Sequence, residues 1–321
     1  MVITWRKGMK LIIVDINILL FTLLCGVYSY VANPFVFQII LKDIRVLRVI
    51  HYELMLLLGV VLALTNSSYT IFSLLNFSDR TIINIILCLL SIFFACLFSI
   101  VTNNLADVEI DKVCNKNRPL ITNEIDVQTY CLLGTLFLVL AIFYAAMVSI
   151  VALFFISICI GIYYLYSMPP FRLKRITLFS KLAISINSTL LVLLGYRLVH
   201  TGMDGFPLSL LAIFLLGFTV AANFIDIKDI KGDSAAGIIT LPILLGKKPA
   251  KILIGSAFWL TYLAFFYLIQ NDYLIPILML GGGLQFYLIN KEPYHEWQVL
   301  FFHNMSILSL ICYFIIMKCY F

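Results

Sequence analysis

The sequence predicts an all-α fold: a polytopic membrane bundle of nine transmembrane helices, preceded by an extra N-terminal helix. Three observations carry this. Of 321 residues, 63% are apolar and only 12% are charged, against about 45–50% and about 25% in soluble domains. Mean hydropathy is +1.06. Apolar runs recur from end to end, each near the roughly 20 residues a helix needs to cross lipid. A soluble globule of this size is excluded, because it would have almost no polar surface to show to water.

The first apolar segment, 11–32, contains Asp15 and Asn17 and ends at the Asn33-Pro34 turn signal. Arg6, Lys7 and Lys10 precede it as they would a signal peptide, but the intramembrane Asp15 and the missing small-x-small cleavage site predict a retained helix. Its path is left open between a full crossing and an interfacial or re-entrant one. Nine spans follow, near 49–66, 83–104, 129–147, 149–167, 179–199, 206–224, 252–270, 273–290 and 297–318. Residues 1–41 form an N-terminal extension and 42–321 the main domain.

Threading these spans sorts the basic residues. Lys42, Arg45 and Arg48 precede the first; Lys112, Lys116 and Arg118 follow the second; Arg172, Lys174, Arg175 and Lys181 follow the fourth. Lys228, Lys231, Lys247, Lys248 and Lys251 follow the sixth, and Lys291 the eighth, all on one side. Only Arg80, Arg197 and Lys318 fall opposite. The positive-inside rule makes the crowded side cytoplasmic, with a cell inner membrane as the expected location. The net charge of +6 is thereby spent on topology, and no nucleic-acid partner is implied. Of eight cysteines, most, such as Cys25, Cys88, Cys96, Cys159 and Cys312, lie inside apolar runs and none is in a CxxC pair, so they read as small core hydrophobes.

Carboxylates are scarce, 16 in all, and two clusters stand out. Where the second span leaves the membrane, Asn103, Asp107 and Asp111 are spaced i, i+4, i+8. At 100° per residue they occupy an arc of about 80° along roughly 12 Å of helix, a single oxygen-bearing stripe. Glu109 points to a solvated face. At the corresponding end of the sixth span, Asp226, Asp229 and Asp233 are spaced i, i+3, i+7 and share a face if the helix continues. One such triplet could merely solvate a helix end. Two on one membrane face gather anionic oxygens that need a cation, and hard oxygen ligands select Mg²⁺, with Mn²⁺ an acceptable substitute. Lys112, Arg118, Arg172 and Lys174 lie in loops on the same side and could add positive charge for a diphosphate.

These residues resemble the UbiA superfamily of intramembrane prenyltransferases, whose pattern is NxxxDxxxD after the second helix and DxxxD after the sixth. Asn103, Asp107 and Asp111 match the first; Asp229 and Asp233 match the second, inside KDIKGD and ahead of Gly237 and Thr240-Leu241-Pro242. Tyr166 to Arg175, YSMPPFRLKR, resembles the family's YSxPPxRLK segment. The likeness covers about residues 42–320. Members often carry Arg-Pro at the start of helix one, whereas Arg48 here precedes Val49. Asp226 adds a carboxylate, so the second metal pair reads as Asp226/Asp229 or Asp229/Asp233.

The resemblance implies a central chamber with both motifs at its cytoplasmic end. It also implies Mg²⁺ on Asp107, Asp111, Asp229 and Asp233, with Asn103 assisting. The implied donor is a polyprenyl diphosphate gripped by Arg172 and Lys174, with Arg48, Lys112, Arg118, Asp226 and Tyr166 as further substrate contacts. The implied acceptor is lipophilic, of the aromatic quinone-precursor kind, met within membrane lipid. The alternatives are a carotenoid or tetrapyrrole acceptor, an intramembrane terpene cyclase, and, remotely, a transporter, although transporters place their carboxylates mid-membrane rather than at helix ends. His51 and Glu53 are candidates for an acceptor wall; His200, His295 and His303 read as ordinary loop or interfacial histidines. The Gly281-Gly282-Gly283 run predicts close helix packing rather than a kink.

Overall fold

The structure, a computed structural model, describes residues 2–65, 80–200, 202–235, 237–269 and 272–320. Among these it is helical, with no strand beyond a single parallel bridge between Ile176 and Ile239. The longer helices are α1 (Val2–Ala32), α2 (Pro34–Asp43), α3 (Val46–Thr65), α4 (Thr81–Ala106), α5 (Val108–Cys114), α6 (Val127–Val148), α7 (Ile150–Ser167) and α8 (Thr177–Val199). Then come α9 (Leu208–Ala212), α10 (Phe218–Ala221), α11 (Ile230–Ala235), α12 (Leu241–Leu245), α13 (Lys247–Ile269), α14 (Ile275–Asn290) and α15 (Glu296–Tyr320). Nine described helices are long and apolar enough to cross a membrane. They are the N-terminal helix and eight of the nine expected spans. The exception is α14, which is 16 residues long, because Pro276 in its first turn starts the helix only at Ile275.

The chain forms two compact units, residues 1–45 with 67–156, and 46–66 with 157–321. The expected N-terminal extension thus packs as part of the first. There α1 carries a mostly exposed apolar surface, as a lipid-facing helix should, and buries Asp15 at 2% exposure. That carboxylate is paired at 2.6 Å with Arg80, just before α4. Thr22 shares a hydroxyl hydrogen bond with Tyr144 near the end of α6. At the other end of the unit Asp43, closing α2, accepts from Tyr130 in the first turn of α6. α1 thus meets the rest of the first unit at Arg80 and Tyr144, and its segment Leu11–Ala32 is long and apolar enough to cross a membrane. The Asn33-Pro34 signal is more than a turn. Asn33 Oδ1 caps α2 by accepting from Val36 N at 3.2 Å, with Pro34 in the first turn.

In the second unit α3 and α8 cross at two glycines. A methyl group built on Gly59 would overlap the Val192 carbonyl, and one built on Gly195 the Leu56 carbonyl. Both obstacles are backbone and cannot swing away. Gly195→Leu is expected to destabilise the protein by at least the ~1–3 kcal/mol typical of overpacking, seen as early thermal unfolding in detergent. Gly283→Leu should be neutral, since nothing lies within 4 Å of that position. In the triple-glycine run, Gly281 faces Tyr262 and Ser306, and Gly282 faces Trp259. α14 continues through them, so the run serves packing.

The expected sixth span is not one regular helix. It runs from α9 through a π turn at Ile213–Gly217 and the short α10 into a 3₁₀ segment, Ala222–Ile227. π and 3₁₀ turns interrupt helices most often at functional sites, and this one delivers the second aspartate cluster.

Candidate active site

In the first unit, the helix that carries the first motif breaks at Asp107, which closes α4 and opens α5. The ladder continues on both sides: Asp107 N donates to Asn103 O at 3.0 Å and Asp111 N to Asp107 O at 2.8 Å. The three residues thus stay in helical register, with Asn103 and Asp107 half-buried and Asp111 buried. Glu109 is exposed as expected, and Lys112 pairs with it at 2.7 Å, so Lys112 stands on the solvated face.

Asp111 is fixed on both oxygens. Asn115 Nδ2 donates to Oδ1 at 2.8 Å and Arg118 Nη1 lies 3.2 Å from Oδ2. Arg118 also donates to Asn104 Oδ1. Asn104 in turn donates to the Tyr130 hydroxyl at 2.8 Å, which donates to Asp43 at 2.7 Å. Burial lifts the Asp43 carboxyl above its usual range, opposed by the Tyr130 hydroxyl, Arg118 and Arg45. Beside this chain lies a cavity of about 540 Å³ lined by Lys42, Arg45, Lys116 and Arg118 among others. Sequence reading missed Asp43, Asn104 and Tyr130, because nothing in local spacing ties the end of α2 to the start of α6.

In the second unit the second motif is spread over three local geometries: Asp226 on the 3₁₀ segment, Asp229 in the turn after it, and Asp233 in α11. Gly237 adopts φ +67°, and the following Ile238 N reaches back to Asp233 O at 2.8 Å. This left-handed cap ends the Asp233 turn and favours glycine. Asp226 is buried and its Oδ1 is held by Lys181 at 2.5 Å, while Oδ2 is buried without a hydrogen-bond partner. Burial lifts the Asp229 carboxyl; Lys228 and Arg48 oppose the lift, and Glu296 and Asp226 add to it.

Arg48, at the start of α3, pairs with Glu296 of α15 at 2.7 Å, and Lys228 takes the other Glu296 oxygen. Tyr166 lies in the electrostatic surroundings of both Arg48 and Lys181 and rests edge-on against Tyr163. After α7 the chain turns through Arg172, with φ 40°, into a 3₁₀ turn containing Lys174. The Ile176–Ile239 bridge and the Thr177 hydroxyl on Ile239 O tie this loop to the segment after Asp233. The second unit thus gathers Arg48, Tyr166, Arg172, Lys174 and the second motif at one end. Lys181 was read from sequence only as a topology charge and Glu296 was not singled out; their partners are too distant in sequence for spacing to reveal.

Further along α3 and α15 from this ionised layer lie two histidines. His51, one turn after Arg48, lies 3.0 Å from Ser188 Oγ through Nε2, and Thr219 donates to Ser185 at 3.1 Å. His303, two turns after Glu296 on α15, sets its ring 5.2 Å from that of His51.

Among the described residues no three His, Cys, Asp or Glu side chains stand close enough to form a finished metal cage. The donor chemistry nevertheless fits a hard divalent cation. Both motifs offer only oxygens, one Asp226 oxygen is buried and unsatisfied, and Asp229 sits where burial and neighbouring carboxylates disfavour its charge.

A model of the UbiA prenyltransferase family matches residues 56–308. The digeranylgeranylglyceryl phosphate synthase of Sulfolobus acidocaldarius is 28% identical over 194 residues, covering 59% of this chain and 69% of that protein. The homogentisate phytyltransferase of Synechocystis is 35% identical over 155 residues, covering 46% of this chain and 50% of its own length. A solved UbiA homolog from Archaeoglobus fulgidus, bound to GPP and Mg²⁺, superposes with a TM-score of 0.64 at 20% identity, over 86% of this chain and 99% of that one. At that identity the likeness shows the fold.

Proposed function

This chain belongs to the UbiA prenyltransferase family and is an integral, multi-pass membrane prenyltransferase; from that premise we propose that it moves a polyprenyl group from a diphosphate donor to a lipophilic acceptor of the aromatic, quinone-precursor kind. The observation that carries the reading is the pair of oxygen-only motifs, each at the end of an apolar helix and each surrounded by basic residues. Asn103, Asp107, Asp111, Asp229 and Asp233 are the residues that would hold Mg²⁺. Asp226, whose Oδ1 is held by Lys181, is left out of that set because the DxxxD spacing matches Asp229 and Asp233. Bound Mg²⁺ neutralises the charge that grows on the leaving diphosphate.

The chain's own residues do the rest. Arg172 and Lys174 grip the diphosphate, supported by their short loop and its tie to Ile239. Arg118, braced by Asn104 and Asp111, holds Asp111 in one orientation and adds positive charge beside it. Arg48 and Lys181, each already paired with a carboxylate, keep the field at the second motif positive without unbalanced buried charge. Tyr166 contacts the donor near its diphosphate. Aromatic side chains deeper in the membrane exclude water and offer π faces to the allylic cation. The loops carrying the motifs face the cytoplasm at the cell inner membrane.

The test measures diphosphate release from purified protein in nanodiscs with geranyl diphosphate and Mg²⁺, with and without a membrane lipid extract. Release that depends on the extract is expected. Stoichiometric cyclic hydrocarbon from donor alone would replace this reading with a terpene cyclase.

A further inference from the structure

The deep layer of the second unit holds a pair of imidazoles that the donor chemistry above does not use. His51 on α3 and His303 on α15 lie with ring centroids 5.2 Å apart, walled by Tyr52, Phe218 and Phe258. His51 spends Nε2 on Ser188 Oγ at 3.0 Å. The Nδ1 atoms of both rings are buried with no hydrogen-bond partner. An unsatisfied polar atom inside a membrane protein is costly, and two side by side mark a place where a polar ligand belongs.

Several of the neighbouring ionisable groups are already committed. Glu296, two turns before His303 on α15, gives one oxygen to Arg48 and the other to Lys228. Lys181 is held by Asp226, and Tyr52 shares its hydroxyl with Tyr163. The two Nδ1 atoms are thus open valences on basic nitrogens, with His51 about one helical turn from Arg48 in the ionised layer where the donor's diphosphate is assigned.

Building on the prenyl-transfer reading, we propose that His51 and His303 bind the hydroxyl of an alcohol or phenol acceptor and take its proton. In the tautomer that donates Nε2–H to Ser188, Nδ1 of His51 carries the lone pair that receives it. As the donor's C–O bond breaks, its electron pair leaves with diphosphate. The O–H bond breaks as its proton moves to imidazole and then to water, and the electron pair it leaves forms the new bond to the allylic carbon, at oxygen for an alcohol, or for a phenol at the conjugated ring carbon, whose own proton then returns to the oxygen. Each turnover thus releases one diphosphate and one proton. The acceptor class that follows is hydroxyl-bearing, and a hydrocarbon acceptor is excluded.

The test uses the full protein in nanodiscs with geranyl diphosphate, Mg²⁺ and a membrane lipid extract as acceptor source. His51→Gln and His303→Gln keep hydrogen-bonding capacity but cannot take a proton. Each is expected to lower acceptor-dependent product formation by about 100-fold or more, the scale of a lost general base, with donor KM within about twofold by the same reasoning that separates binding from chemistry. His51→Ala should regain activity with added imidazole. Product formation within threefold of the parent in both glutamine variants, or full loss in Glu53→Gln with the histidine variants active, would overturn the assignment. Should a glutamine variant melt early, Ser188→Ala carries the test: it removes only the Nε2 contact, and an unchanged rate would overturn the proposal. If the parent protein itself shows no acceptor-dependent release, the prenyl-transfer reading fails, which is a different result from active protein indifferent to its histidines.

Discussion

Excess chelator is expected to stop turnover completely, and Mg²⁺ added back, or Mn²⁺ in its place, to restore it. The expectation rests on the donor set. Both motifs are built from oxygen ligands, and Asp229 sits in surroundings that disfavour its charge. Without a cation they repel both one another and the diphosphate. With one, the leaving group's charge is met where it forms, the kind of electrostatic effect that dominates many enzyme rates. Undiminished turnover in metal-free buffer, checked by diphosphate release, would remove the basis of the mechanism.

The second large effect concerns the aspartates as a unit. Asp107→Ala, Asp111→Ala, Asp229→Ala and Asp233→Ala should each abolish activity, and any double variant should be little worse than either single, because groups sharing one metal and one leaving group do not contribute independently. Modest, additive losses would mark a structural surface cluster. Asp226 separates the two possible second-motif pairs. Asp226→Asn keeps a hydrogen bond to Lys181 and should retain measurable turnover, whereas Asp226→Ala strands a buried ammonium and should destabilise the fold by about 3–5 kcal/mol. A silent Asp229→Asn with an inactive but folded Asp226→Asn would shift the metal set one turn earlier.

The fold was legible because lipid imposes a simple rule: long apolar runs must become helices, and eight of the nine expected spans, together with the N-terminal one, are helical stretches long and apolar enough to cross. α14 fell short where Pro276 delayed its start. α2 went unread because Asn33-Pro34 marks a turn and a helix cap with the same two residues. The aspartate, asparagine and basic residues of the candidate site were legible because ionisable groups are rare in such a chain and their spacing is local. What spacing could not give was partnership. Lys181 meets Asp226, Arg48 meets Glu296, Tyr130 meets Asp43 and His51 meets His303 across distant parts of the sequence. The irregular sixth span was equally hidden, since hydropathy does not tell an α turn from a π or 3₁₀ turn.

The most direct measurement is mass analysis of lipids from membranes containing this protein, incubated with isotope-labelled prenyl diphosphate and Mg²⁺, beside the same membranes carrying Asp111→Ala. The account predicts at least one acceptor that gains a single labelled prenyl unit with the parent protein and none with the variant. Labelled donor converted only to a free hydrocarbon or terpene alcohol, or an acceptor labelled equally by the variant, would contradict it.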